Sequence, residues 1–480
     1  MLITKQSDAQ RVFNFFEEIS KIPRASQNSD KIADYLENFA KSRGLFFKRD
    51  RANNVIIRKA ATEGYENAPT VIFQSHTDIV ADKINGSSFD FDTDGLEILR
   101  DGDFLHANGT TLGADDGIGV AYSLALLDSK DVPHPEFEAL FTSDEEIGLL
   151  GAAALDTSFL RGKILINLDS DEEGVFTVGC AGGGRLDITL PYKKEKIVDT
   201  ALKIKLSGLT GGHSGVEIDK CRENAIKLLA STLSLCGDVM ICDFCGGSAD
   251  NAIPRFAECT LYTNNKKQLS FFLKELEENI RKKEPDLLIS TEEDKNHTYM
   301  AYSARNSAKI LELLCKMPTG VYKMSEDIPE LVETSSNLGI IDSSGDRVKI
   351  SVSIRSSKDS EKDNLHTQIN SLALGYGAET SMRGEYPAWE YKKDLKLVHL
   401  AKKTYIDIYK KEPKIVTIHA GLECGVFTNK IDGLQCISLG PDNFNIHTTE
   451  ERLSISSTVR VWDYLKALLK NMNAPAADWR

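Results

Sequence analysis

A short apolar run that stops abruptly at acidic or imidazole side chains recurs along this chain, and that recurrence limits the fold more than any other feature. The first instance is Val71-Ile72-Phe73-Gln74-Ser75-His76-Thr77-Asp78. An apolar run of this length, bounded by polar residues, reads as a buried parallel strand. His76 and Asp78 follow at its carboxyl end, on one side of an extended segment, because side chains alternate with period two. In open α/β sheets, chemistry sits just beyond the carboxyl ends of strands. Taken alone, His-x-Asp also describes a loop histidine hydrogen-bonded to a nearby carboxylate. The balance changes because the pattern returns. Asp115 and Asp116 open an apolar segment, Leu140-Phe141 runs into Asp144-Glu145-Glu146, Ile164 to Leu168 runs into Asp169, and His447 follows Cys436 to Gly440. Imidazole and carboxylate donors in this combination suit a divalent first-row metal, with no cysteine needed.

At 480 residues the chain is too long for one ordinary core, so two domains are expected. Hydrophobic content of 41% and charged content of 27% are those of a soluble globular protein. A formal net charge of −14 argues against binding to a phosphate backbone, so nucleic acid is not an expected partner. No apolar run approaches the ~18 residues of a membrane span. The start, Met1-Leu2-Ile3-Thr4-Lys5-Gln6-Ser7-Asp8, lacks the pattern of a secretory leader. Nine scattered cysteines, odd in number, suit a reducing cytoplasm. Cys242-x-x-Cys245 is the only close pair and reads as unpaired structural thiols, because a redox or zinc role wants a helix N-terminus or a second pair.

Apolar positions at Val12, Phe15, Phe16 and Ile19 predict a helix over 8–20, broken at Ile22-Pro23-Arg24. A second helix starts near Ser29-Asp30 and stops at Gly44. Short strands are expected at 46–48 and 55–57, and a helix over 118–127. Alternating strands and helices to about residue 185 imply a mostly parallel sheet flanked by helices. The texture then changes. Leu202-Lys203-Ile204-Lys205-Leu206 and Val348 to Ile354 alternate strictly, as half-exposed antiparallel strands do, and 222–235 and 268–282 are helical in pattern. From Leu395 the α/β pattern resumes, with a helix over 395–409, a strand over 414–418 and a final helix over 457–471. The expected design is an α/β catalytic domain in two parts, 1–185 and 394–480. An inserted α+β lid domain, 186–393, lies between them, its passes over 201–290 and 300–383 suggesting a duplicated unit.

A hydrolytic centre with two divalent ions needs donors for each ion, one shared group, and a base for the attacking water. Asp115 can bridge, because a carboxylate has two oxygens. His76 with Asp169 could complete one ion, and Glu146 with His447 the other. Adjacent Glu145-Glu146 lets one carboxylate bind metal while its neighbour stays free to take and return a proton. The competing reading of that pair is a solvated acidic loop. Asp78 would hold the His76 ring in the required tautomer. Gly211-Gly212-His213-Ser214-Gly215 is either a turn with a chance histidine or a donor from the inserted domain to a reacting carbonyl oxygen.

Together these segments resemble the di-zinc exopeptidase superfamily of aminoacylases, carboxypeptidases and dipeptidases. Within it, the chain is similar to the cytosolic aminoacyl-histidine (Xaa-His, beta-alanyl-histidine) dipeptidase branch, nearly end to end. The carriers are Ile22-Pro23-Arg24, Gln74 to Asp78, Thr110 to Asp115, Glu145-Glu146, Asn167 to Ser170 and Gly179 to Gly183. They continue with Gly211 to Gly215, Asn251 to Arg255, Val332 to Ser335, Ile354-Arg355-Ser356 and His419-Ala420-Gly421-Leu422-Glu423-Cys424-Gly425. The last of these points to the dipeptidase branch. The resemblance implies a zinc-exopeptidase-like α/β fold with an inserted, ferredoxin-like lid. It also implies two Zn2+ per subunit, with Co2+ or Mn2+ as substitutes, held by His76, Asp115, Glu146, Asp169 and His447, Asp115 bridging. Asp78 and Glu145 would be catalytic, Glu145 as general base, and the Asp115-Asp116 peptide would be cis. His213 would stabilise the oxyanion, and Asn251 and Arg355 would hold a substrate carboxylate, a task suited to a guanidinium fork. Glu423 would meet the free amino group of the substrate, its alternative being a buried structural ion pair.

Two positions depart from the branch: Asp116 stands where Asn is common, and His447 sits in Asn445-Ile446-His447-Thr448 rather than Gly-Pro-His-Ser. The expected function is metal-dependent hydrolysis of unblocked dipeptides, Xaa-His or carnosine-like, by a cytoplasmic enzyme whose partner is a small peptide; a homodimer is compatible. The rivals are an aminotripeptidase or N-acyl-amino-acid deacylase on the same scaffold and, outside catalysis, a metal-binding scaffold.

Overall fold

The computed structural model describes residues 8–294, 298–326 and 328–479, so the leader reading of Met1 to Ser7 lies outside the described residues. The chain divides into two compact units. One runs to Cys180 and resumes over Trp389–Thr417 and from Leu422 onward; the other is Ala181–Ala388 with Ile418–Gly421.

The first unit is built on an eight-stranded sheet. Its order is Phe46–Arg49, Val55–Lys59, Phe137–Thr142, Val71–His76, Ile164–Asn167, Gln435–Ser438, Val175–Cys180 and Lys414–Ile418. Phe137–Thr142, Val71–His76, Ile164–Asn167 and Gln435–Ser438 pair parallel in the middle. Antiparallel pairs flank them. Val71–His76, Phe137–Thr142 and Ile164–Asn167 are buried at every position, which is why they read as continuous apolar runs. Helix Gln10–Ser20 buries Val12, Phe15, Phe16 and Ile19, the stripe seen in the sequence. With Ala114–Asp128, Lys396–Tyr409 and Ile455–Asn471 it shares one hydrophobic core with the sheet. Phe73 lies at the centre of that core, edge-on to Phe137 with ring centroids 5.7 Å apart.

The second unit has its own core and an antiparallel path of eight strands, with a ninth, Gly320–Met324, paired to Val332–Asp342 off that path. Leu202–Ser207, helix Ala225–Ser234, Met240–Gly246, Ala257–Tyr262, helix Lys266–Ile280 and Leu288–Glu293 form a β-α-β-β-α-β repeat. Numbered within the repeat, its strands lie in the spatial order 4-1-3-2. Gly182–Leu190, helix Ala304–Lys316, Val332–Asp342, Val348–Ser356, helix Asp359–Gly375 and Glu379–Tyr386 repeat that order, and the two repeats join where Cys245 pairs with Asp342 and Gly246 with Ile341. The insert is therefore duplicated, but the second repeat takes its first strand from before the first repeat. Three successive glycines, Gly182 to Gly184, hide that strand in the sequence. Added Cβ atoms there would lie 2.4 Å from the Ala388 nitrogen, 2.6 Å from the Tyr386 hydroxyl and 2.3 Å from Met382 Cε.

All nine cysteines are free thiols; Cys242 is buried beside Ala201 and Ala301. Among the described residues no helix is long and apolar enough to cross a membrane. Phe73→Ala is expected to destabilise the first unit by ~3–5 kcal/mol. The readout is a lowered denaturant midpoint in tryptophan fluorescence, because Trp389, Trp462 and Trp479 all belong to that unit.

Candidate metal centre

The chain passes from strand Val71–His76 through helix Ala114–Asp128 to Phe137–Thr142 on one side, then places Ile164–Asn167 on the other. Strand order reverses at Val71–His76, and a crevice opens at the carboxyl ends flanking such a reversal. Below it lies a buried polar layer drawn from the ends of the three strands. Gln74 accepts from Asn167 Nδ2 at 2.6 Å and donates to Thr142 Oγ1 at 3.2 Å and to Glu423 Oε2 at 2.5 Å. Thr142 also donates to Glu423, at 2.7 Å. With both ends of its amide engaged, Gln74 has one orientation, which fixes the strand two residues before His76.

Above this layer the five expected donors converge. His76 Nε2 is 2.9 Å from Asp115 Oδ1 and 3.5 Å from Asp169 Oδ1. His447 Nε2 is 2.9 Å from Asp115 Oδ2 and 3.0 Å from Glu146 Oε2. The two oxygens of Asp115 therefore face different histidines, each with a further carboxylate at hand. His76, Asp115 and Glu146 can each offer a donor atom within 4.8 Å of the others. Tetrahedral coordination with bonds of 2.0–2.2 Å sets donors about 3.3 Å apart, which these spacings match. The His447 side chain is 46% exposed, so the centre is open on that side.

The donors also compete for protons. Burial pulls both imidazoles down, but the carboxylates outweigh it. Asp169, Asp115 and Asp78 leave His76 raised well above its ordinary value, and Asp115 with Glu146 push His447 up to about 11. Burial raises Asp169 to about 6 despite His76, whereas the two histidines hold Asp115 below the usual carboxylate range in spite of burial. Clustered acids around two imidazoles of raised proton affinity are a donor set that a divalent cation can enter by displacing protons.

His76 Nδ1 donates to the main-chain oxygen of Asp78 at 3.0 Å, which leaves Nε2 as the metal-facing lone pair. The Asp78 carboxylate is farther from the ring, at 3.6 Å. It accepts instead from the backbone N–H groups of Glu145 (3.0 Å) and Glu146 (3.3 Å) and from Ser26 Oγ (2.7 Å). The tautomer is thus set mainly by a backbone carbonyl, and the Asp78 side chain moors the Glu145-Glu146 turn. The Glu145 side chain is half-buried, and among the described residues no ion pair holds its carboxylate. Burial pushes its pKa well up, with Asp169, Glu146 and Glu423 adding to the effect.

The Asp115-Asp116 peptide is cis, as the resemblance implies. The Asp116 carboxylate turns inward and accepts from the N–H groups of His76 and Gly119, both at 3.2 Å. Burial and then Asp169 drive it toward the neutral acid, the charge an Asn would carry there.

Glu423 lies deeper than the metal-facing donors. It is 0% exposed in the polar layer under the strand ends, where Oε2 accepts from Gln74 and Thr142 while Oε1 has no partner among the described residues. The buried ion pair considered for it is absent: among the described residues its partners are the neutral Gln74 and Thr142, and burial pushes it up to about 8.

The second unit gathers the remaining expected residues. His213 pairs with Ala252, next to Asn251. Its Nδ1 accepts the N–H groups of Gly215 (3.1 Å) and Val216 (3.2 Å), so the imidazole proton resides on Nε2 and that nitrogen is a donor. Asn251 lies in the turn before Ala252–Ile253, and its carbonyl accepts from Ser214 N–H at 2.8 Å. Arg355, on Val348–Ser356, donates to the Tyr386 hydroxyl at 2.8 Å and keeps a buried Nε without a partner. His419, quoted above only within a motif, is buried, 2.7 Å from Ser335 Oγ, and depressed to about 3 by burial and by Arg355. Sequence reading also passed over Gln74 as an anchor and Glu451 altogether, since neither has a spacing signal.

A parallel sheet with histidine and carboxylate donors converging at its strand ends is the layout of a metal-dependent hydrolase. Residues 72–471 match peptidase family M20/M25/M40. The chain is 36% identical to the cytosol non-specific dipeptidase of Escherichia coli, over 98% of this chain and 99% of that protein. Among solved structures it superposes on the aminoacylhistidine dipeptidase of Vibrio alginolyticus with a TM-score of 0.86 and 34% identity, covering 97% of each chain. A tripeptidase from Staphylococcus aureus shares the fold, with a TM-score of 0.58 at 17% identity, over 97% of this chain and 99% of that one. The chain belongs to peptidase family M20/M25/M40.

Stripping metal with a chelator is expected to lower the melting temperature, and a divalent cation at a hundredfold excess over its Kd to restore ~2.7 kcal/mol of stability per site. The sign with pH follows from the raised imidazoles. Their pairing with carboxylates stabilises the metal-free fold below the ordinary histidine pKa and is lost as pH rises toward the folded value, about 11 for His447. Protons and metal compete for the same atoms, so the zinc-induced rise in melting temperature should shrink between about pH 8 and about pH 5.

Proposed function

We infer that this chain is a metal-dependent dipeptidase acting on small unblocked peptides. We propose Xaa-His and carnosine-like dipeptides as its preferred substrates and Zn2+ as its metal, two ions per subunit, with Co2+ or Mn2+ able to substitute. The observation that carries the reading is the Asp115 carboxylate, whose two oxygens each lie 2.9 Å from a different histidine. His76 and Asp169 would serve one ion and His447 and Glu146 the other. Two bound divalent ions supply Lewis-acid polarisation of the peptide carbonyl and make water a nucleophile at neutral pH.

The chain's own groups do the rest. Glu145 takes a proton from the attacking water and hands it to the departing amine nitrogen, as a positioned carboxylate does. The Asp78 carboxylate holds the Glu145 backbone N–H and so keeps that base in place. His213 donates from Nε2 to the carbonyl oxygen as it gains negative charge. Arg355 and Asn251 bind the substrate's terminal carboxylate, Arg355 with the Nε that has no partner among the described residues. Glu423 supports the strand carrying His76 through Oε2, and its Oε1 would meet the free amino group of the substrate. The Escherichia coli relative is named for the cytosol, and the cysteines here are free thiols; both support a cytoplasmic enzyme.

Glu145→Gln should retain zinc while kcat falls by a factor on the order of 10² to 10⁴. Zinc content together with single-turnover hydrolysis measures both, and near wild-type turnover would remove Glu145 as the base. Hydrolysis of a panel after loading with a defined metal checks the substrate class. Xaa-His dipeptides should exceed tripeptides and N-acetyl amino acids; preference for tripeptides would make the chain an aminotripeptidase, and preference for N-acetyl amino acids a deacylase.

A further inference from the structure

The segment that carries Asp115 is gripped from two sides by buried side chains of opposite charge. Glu451, 2% exposed, accepts four successive backbone N–H groups. Leu112 (2.7 Å) and Gly113 (2.8 Å) donate to Oε2, and Ala114 (2.9 Å) and Asp115 (3.3 Å) donate to Oε1. Asn443 Nδ2 adds a fifth bond to Oε1 at 3.2 Å. Arg24, 1% exposed, donates from Nη2 to the Gly113 carbonyl at 2.7 Å and from Nη1 to the Thr77 carbonyl at 2.9 Å. The peptides on either side of the Gly113 Cα are thus held by an anion through their N–H groups and by a cation through a carbonyl.

The physical logic is specific. These N–H groups precede the regular helix, since Asp115 and Asp116 have non-helical backbone, and consecutive N–H groups in such a turn form a concavity that holds an anion. Four donors in two pairs need two acceptor oxygens, which only a carboxylate offers; an amide would turn its NH2 against two N–H groups. Glycine is required at 113, where φ is +66° and an added Cβ would lie 2.7 Å from Ile79 Cγ2 and 3.0 Å from Arg24 Nη2. Each partner is adjacent to a metal-site residue. Thr77 follows His76, Asp115 is itself one of the four donors, and Glu451 lies four residues past His447. The hairpin of Asn443–Phe444 and Arg452–Ser454 contains both His447 and Glu451.

We propose that Glu451 is a positioning residue of the metal centre: its carboxylate sets the Asp115 side chain, and through the hairpin the His447 ring, at the spacing that two cations sharing Asp115 require, with Arg24 clamping from the opposite side. The proposal rests on the two-ion reading of the preceding subsection. A purely structural anchor would alter stability and leave metal affinity alone, so metal affinity is the discriminating quantity.

The test is calorimetric titration of chelator-stripped full-length protein with Zn2+, for wild type, Glu451→Gln and Glu451→Asp, with circular dichroism and gel filtration as folding controls. Wild type should take up two ions; if it does not, the two-ion reading fails independently of this proposal. Folded Glu451→Gln should bind at least one ion about ten- to a hundredfold more weakly. Glu451→Asp, which keeps both oxygens on a shorter stem, should lie between the two. The visible spectrum of the Co2+-loaded variants should change with the donor geometry, and kcat should fall more than KM changes. A folded Glu451→Gln with wild-type affinity for both ions overturns the proposal. If that variant does not fold, Glu451→Asp decides by the same criterion. If neither folds with zinc present, Glu451 is a folding determinant and the positioning role is overturned.

Discussion

Five titratable side chains are brought within hydrogen-bonding distance of one another, and restraints from neighbouring parts of the first unit hold them there. Two imidazoles and three carboxylates meet around Asp115, whose oxygens point opposite ways, one to His76 and one to His447. Bringing like charges together is costly in a low-dielectric setting. The cost is met by structure below and beside the donors. The Asn167, Gln74, Thr142 and Glu423 layer fixes the strand ends, the Asp78 carboxylate ties down Glu145 and Glu146, and Glu451 with Arg24 holds the peptides that precede Asp115. Most of these restraints end on backbone N–H or C=O groups, which move less than side chains do. A centre held this way is set by main-chain geometry, so its spacing is largely preorganised for whatever ion enters.

Much of this was legible from the residues alone. The buried parallel strands announce themselves as apolar runs that stop at polar tips, since both of their faces are covered. That one pattern located His76, Asp115, Glu146, Asp169 and His447, which lie far apart in sequence and come together in the structure. The helical stripe at Val12 to Ile19 and the alternating strand at Leu202 to Leu206 were equally plain, because each buries one face and exposes the other. What stayed hidden was hidden for physical reasons. Gly182 to Gly184 carry no side-chain pattern, yet they open the longest-range strand of the duplicated unit. Side-chain direction at Asp78 is a matter of an ångström or less, and alternation places it on the correct face without saying that its carboxylate reaches the Glu145 and Glu146 amides rather than the ring. The motif around Glu423 did not reveal that it is fully buried and bonds Gln74 and Thr142. Glu451 acts on backbone atoms, which every residue has, so no spacing could single it out.

The duplicated unit shows how a symmetrical architecture can arise from an asymmetrical chain path. Both repeats keep the same strand order, yet one is threaded inside the other, because Gly182–Leu190 belongs to the repeat completed only at Glu379–Tyr386. Their junction is short, at Cys245 with Asp342 and Gly246 with Ile341. One continuous core nevertheless includes apolar residues from both, among them Ile204, Leu229, Leu314 and Ile350. His213, Asn251 and Arg355 are therefore carried on a single packed body, although their positions span both repeats.

The order of segments has a consequence for biosynthesis. Strand Gln435–Ser438 lies between Ile164–Asn167 and Val175–Cys180, so the first unit's sheet stays open until the ribosome has passed residue 438. The residues of the Ala181–Ala388 stretch, by contrast, are all synthesised well before that point. A nascent chain thus holds its early strands unpaired along one side while the middle of the protein folds, the kind of interval in which exposed edges invite wrong partners. His447 and Glu451 follow every other donor in the chain, so no ion can be held by the full donor set until residue 447 has been made. Metal capture by the full set would then follow closure of the first unit's sheet rather than precede it.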